Sequence, residues 1–139
     1  MTPKTKTRIA AGIGGAFSAL TIAEGSAVLL GIIQPPYVVL QWLLLYNVVM
    51  GFVGFGTAVV LWMSRRWARI LVLFIAAAHA AVFATLGILL AIDSPVAMHS
   101  VQAMAMRSAV WSVIAWIAWK SVQAIAAAIS PTQQTANSR

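Results

Sequence analysis

The strongest constraint on this chain is a series of apolar stretches of about 20 residues or more, the length a helix needs to cross a hydrocarbon core about 30 Å thick. Four can be drawn, over residues 9–33, 38–63, 70–92 and 96–119. The links between them are too short to hold a soluble domain. The expected fold is all-α, an integral membrane four-helix bundle running up-down-up-down with short loops. Residues 1–130 make that single domain, and 131–139 are read as a flexible polar C-terminal tail.

Charge supplies the orientation. A net charge of +7 would point to nucleic acid in a soluble domain, but here the basic residues gather at the ends of apolar stretches. They stand in "KTKTR" ahead of the first and at Arg65, Arg66 and Arg69 between the second and third, where cations anchor helices. "QPP" and "DSP", the other two links, carry none. The inside-positive bias therefore predicts cytoplasmic termini in a plasma membrane, on the pattern of a bacterial inner membrane, with lipid as the surrounding partner and no nucleic acid. "MTPKTKTR" resembles the positive region of a signal peptide, yet the apolar stretch behind it outruns the roughly 7–15 residues of such a signal, so it is read as a retained helix. Pro35 and Pro36 are expected to stop the first helix, and Asp93 or Ser94 to cap the fourth, with Pro95 in its first turn.

Acidic residues are the scarcest chemistry. There are two, and Glu24 stands inside the first apolar stretch. Counting inward from the expected outer helix ends at about 1.5 Å per residue, Glu24 and Asn47 both lie about 13 Å deep, Arg107 about 16 Å and His79 about 18 Å. Each helix then contributes one strongly polar side chain to a middle layer. An exposed charge at mid-bilayer costs at least about 2.5 kcal/mol, so these groups are expected to face the bundle interior. The predicted arrangement is an ion pair of Glu24 with Arg107, satisfied further by Asn47 and His79. Without that pair, Glu24 and His79 become candidates for proton coupling. The fourth stretch extends from Pro95 towards Ile129; the 96–119 placement puts Trp119 and Lys120 at an interface, whereas 107–129 would bring Arg107 to the surface. The first placement is preferred. Gly51 and Gly54 share a helical face with Asn47, and Thr21 shares one with Glu24, so small residues are expected to let backbones approach around the layer.

Catalysis finds little support. No cysteine, nucleophile elbow, phosphate loop or pair of carboxylates is present, and no enzymatic activity is expected. His79 and His99 differ too much in depth to be axial ligands of one haem. Met98, His99, Met104 and Met106 are soft donors without a one-face spacing, so neither a metal nor a cofactor is assigned. Gly14, Gly15 and Ala16 followed by Glu24, in a chain of four short-linked helices, give the first span a superficial similarity to the small multidrug-resistance transporters. No residue role is carried over from it. The leading expectation is an accessory or scaffold subunit of a membrane complex, with the polar network fixing helix packing and a membrane-protein partner or self-association. One alternative is a small oligomeric proton-coupled transporter of cationic or apolar solutes using Glu24. Another is a helper subunit contacting a haem or other redox cofactor held by a larger complex.

Overall fold

The computed structural model describes residues 2–65 and 67–136, with side chains described at 2, 4–65 and 67–121. Among the described residues there are four helices: α1 (Pro3–Leu29), α2 (Gln41–Trp62), α3 (Ala68–Ala91) and α4 (Met98–Ala136). All four are long and apolar enough to cross a membrane, α4 over its Met98–Ser121 portion. Of the expected tail, 131–136 is backbone of α4, and 137–139 lie outside the described residues.

Helix ends depart from expectation for identifiable reasons. Thr2 starts α1 six residues before the expected span: its Oγ1 accepts from the Thr5 N–H at 3.3 Å, and Pro3 follows in the first turn, where its missing N–H costs nothing. At the other end α1 stops at Leu29, ahead of the prolines. Gly31 takes φ +72°, its N–H bonds the Val28 carbonyl at 3.1 Å, and the Ile32 N–H bonds the Ala27 carbonyl at 2.9 Å. That pair of bonds is the Schellman motif, so glycine ends the helix and Pro35 and Pro36 fall in the link. The same motif closes α2 and α3 on residues that pay for the conformation. Ser64 sits at φ 56° with Arg65 N–H on the Val60 carbonyl, and Asp93 at φ 54° with Ser94 N–H on the Leu89 carbonyl. Asp93 and Ser94 therefore terminate α3 rather than cap α4, which begins only at Met98.

Packing follows from small residues. Along α1 and α2, Gly12 stands by Trp62, Gly15 by Ala58, Ser18 by Gly54, Ile22 by Gly51 and Gly25 by Val48. One series rises as the other falls, so the two helices run in opposite directions. A Cβ at Gly51 would come 2.8 Å from Ile22 Cγ1, and one at Gly54 would come 2.5 Å from Ser18 Oγ. The contact requires glycine. Between α1 and α4, Thr7 Oγ1 donates to Ser121 Oγ at 3.2 Å while Gly14 faces Ile114, again an opposed pairing. Contacts join α1 to α2, α2 to α3, α3 to α4 and α4 to α1, closing a ring. Trp111, 2% exposed, reaches from α4 through its centre to Gly14 and Gly54. One apolar cluster holds Ala68, Val72 and Ile75 of α3 with Trp111, Ile114 and Ala118 of α4; a second holds Leu43, Leu86 and Met104. Outward faces stay apolar: Phe52 is 61% exposed, Ile70 70% and Trp116 63%. Aqueous solvent would penalise that surface, whereas hydrocarbon would not. At the basic end, the Arg8 guanidinium lies 5.9 Å from the Trp62 ring centroid, tying the start of α1 to the end of α2.

Candidate functional site

Helical spacing gathers polar side chains where α1, α2 and α4 meet. Thr21, Glu24 and Val28 recur at three- and four-residue intervals on α1; Leu43 and Asn47 do so on α2, and His99, Ala103 and Arg107 on α4. All line one cleft of about 130 Å³, which the link between α1 and α2 borders with Pro35, Tyr37 and Val39. Beneath it is a cavity of about 10 Å³ that shares Thr21, Asn47 and Arg107 and adds Ser18, His79 and Trp111. Glu24, Asn47 and Arg107 thus stand around one cleft, and His79 reaches the inner cavity from α3.

Bonding within the set differs from the anticipated network. Glu24 is exposed and makes no ion pair with Arg107 within 4 Å. Arg107 Nε and Asn47 Oδ1 are buried and lack hydrogen-bond partners. His79, 3% exposed, bonds Tyr46 instead, with its Nδ1 2.9 Å from the phenolic oxygen and the rings meeting edge-on at 5.7 Å. At the rim, the Tyr37 and His99 rings lie 4.9 Å apart, tilted by 38°. The two histidines therefore belong to different cavities.

Depth is also revised. Because α1 ends at Leu29 and α2 begins at Gln41, Glu24 lies only about 8 Å and Asn47 about 9 Å below their helix ends. Arg107 lies about 14 Å from the start of α4 and His79 about 18 Å from the end of α3. The polar groups descend in steps from a shallow carboxylate to a deep imidazole. Tyr46 and Tyr37 are the members that spacing alone did not select; the available signal was that the chain's two tyrosines flank the start of α2, one of them next to Asn47.

Chemically, the cleft offers the Glu24 carboxyl group from α1, the Arg107 guanidinium from α4 and the Asn47 amide from α2. Such a set can hold a polar group or pass a proton; it presents no activated nucleophile. No protein-family model, curated protein or solved structure matches the chain.

Proposed function

We propose that this chain is a multi-pass integral membrane protein, its four spans alternating up and down with both termini in the cytoplasm, that serves as an accessory subunit of a membrane complex. The His79–Tyr46 bond helps to fix the pairing of α3 with α2, and the cleft beside it receives a polar group from outside the bundle. The observation that carries this reading is that Glu24 and Arg107 line one open cleft and make no ion pair with one another within 4 Å. A carboxylate and a guanidinium held apart leave hydrogen-bonding capacity for an incoming group, and a bond to a charged partner is worth about 1.5–3 kcal/mol. The basic residues at one end of the helices and their absence from the links 30–40 and 92–97 support the orientation. Extraction from the native membrane in a mild detergent, followed by affinity purification, is expected to bring down a second membrane protein in fixed ratio. Recovery of this chain alone, in self-association only, overturns the subunit assignment.

A second reading is favoured by one observation of its own. Glu24 is exposed on the cleft and is not neutralised by a close ion pair, the condition for a carboxylate that exchanges protons for a cationic or apolar solute. In proteoliposomes, pH-dependent flux of such a solute that disappears in a folded Glu24→Gln protein is its expected signature. Unchanged flux in that variant excludes Glu24 as the coupling group.

A further inference from the structure

We propose that the cleft between α1, α2 and α4 is a binding site for a small zwitterion, a primary ammonium and an acid group on one head, with the ammonium at Glu24 and the acid at Arg107. The proposal rests on the reading of this cleft as a receptor for a group from outside the bundle, and it names the chemistry of that group.

Charge is the first support. Glu24 and Arg107 line the same cleft from helices on different sides of it, yet do not close on one another within 4 Å. A simple anion entering there is favoured by Arg107 and repelled by Glu24, and a simple cation meets the reverse. A ligand carrying both signs is attracted at both ends, so like-charge penalties reject the singly charged competitors. Specificity would come from that repulsion as much as from attraction.

Hydrogen-bonding capacity is the second. The Arg107 guanidinium is a donor and the exposed Glu24 carboxylate an acceptor, and both residues line the cleft. An acid oxygen satisfies the first, and an N–H of a primary ammonium satisfies the second. A quaternary ammonium has no N–H to give the Glu24 carboxylate. The donor set therefore discriminates ethanolamine-like heads from choline-like heads as well as from anionic ones.

Size and depth complete the match. About 130 Å³ is well below the roughly 300–1,000 Å³ of pockets that enclose drug-sized ligands, so the occupant is a head of a few heavy atoms. Glu24 lies about 8 Å below the end of α1, a depth within reach of the interfacial zone. Val28, Leu43 and Leu44 border the same space, so a head attached to an acyl chain and a free zwitterion are both compatible with the walls.

The test uses the purified full-length protein. In nanodiscs containing equal amounts of phosphatidylethanolamine, phosphatidylcholine and phosphatidylglycerol, native mass spectrometry is expected to show phosphatidylethanolamine retained about tenfold over the other two, the factor that 1.4 kcal/mol supplies. Free phosphoethanolamine, added to lipid-depleted protein in a non-ionic detergent, separates the sources. Lipid retention without a thermal shift from the free head assigns a lipid ligand, and a thermal shift assigns a soluble one; either supports the zwitterion site. Glu24→Gln is expected to exchange the preference for phosphatidylglycerol, a gain that a merely damaged fold does not produce, and Arg107→Gln to abolish acid-group selection. Size-exclusion behaviour and circular dichroism establish that each variant is folded, and Glu24→Gln decides the matter alone if Arg107→Gln is not. Equal retention of the three lipids together with no response to phosphoethanolamine overturns the proposal, as does an unchanged preference in folded Glu24→Gln. These outcomes do not depend on the affinity purification that tests the subunit assignment, so either idea can fail while the other stands.

Discussion

Replacing Gly54 by alanine tests the packing on which the cleft depends. In an exposed helical position, glycine to alanine favours the helix by about 0.5–1 kcal/mol. At Gly54 the added Cβ would stand 2.5 Å from Ser18 Oγ and 2.7 Å from Trp111 Cζ2, both distances too short to persist. Neither neighbour has room to withdraw: Ser18 and Trp111 are each 2% exposed. Overpacking of this kind costs about 1–3 kcal/mol, which outweighs the gain in propensity. Gly56, two residues along the same helix, is the control, because a Cβ there meets nothing within 4 Å. Gly56→Ala should be neutral or stabilising, and since the propensity gain is common to both, the two variants should differ by the overpacking cost of about 1–3 kcal/mol. Reversible unfolding in mixed micelles by graded denaturing detergent, followed by tryptophan fluorescence, measures the difference directly. Equal midpoints for Gly54→Ala and Gly56→Ala would refute the close approach of α1, α2 and Trp111.

Three other outcomes are expected. Ser64→Gly and Asp93→Gly should each raise stability by about 0.5–1 kcal/mol in the same unfolding assay, because both native residues occupy a left-handed conformation that glycine adopts without a Cβ penalty; Gly31→Ala should lower it. Tyr46→Phe removes the partner of His79 Nδ1 and leaves that buried nitrogen unsatisfied, a loss of about 1–3 kcal/mol, whereas Tyr37→Phe, on the exposed side of the cleft, should cost little. Since the chain has no cysteine, single thiols report sidedness: His99→Cys should react with an impermeant reagent from the outer face and Lys120→Cys only from the cytoplasmic face, and labelling of both from one face would defeat the proposed orientation.

How far the fold could be read depends on which residues carry the signal. Helix number and approximate placement follow from apolar length, which tolerates errors of several residues. Helix ends do not. Gly31 is an ordinary marker of a C-terminus, but the paired prolines a few residues on are a louder one, and Ser64 and Asp93 adopt the same cap without any residue-type signature. Ending α1 early moved Glu24 upward and turned a level layer into a staircase. At the site, Glu24, Asn47 and Arg107 stand out because polar groups are costly in apolar runs, and the structure brings the three to one cleft at unequal depths. Partner choice is a different kind of information. Whether His79 meets Asn47 or Tyr46 depends on the rotation of α2 against α3, and adjacent residues on a helix point about 100° apart, so one step in sequence decides between them. Likewise, nothing in spacing reveals that Glu24 and Arg107 stop short of contact.

The link between α1 and α2 has a mechanical consequence. Leu30 and Ile32 are each 74% exposed and Val38 61%, so this non-helical segment shows an outer surface as oily as the helices it joins, while Pro35, Tyr37 and Val39 on the same segment border the cleft. Bare non-helical backbone cannot sink into hydrocarbon, and bare isoleucine and leucine resist water; the two demands confine the segment to the thin zone between them. It behaves as a float. In the proposed orientation the segment that rides this boundary is also the rim of the cleft, so the way to Glu24 opens at the boundary itself.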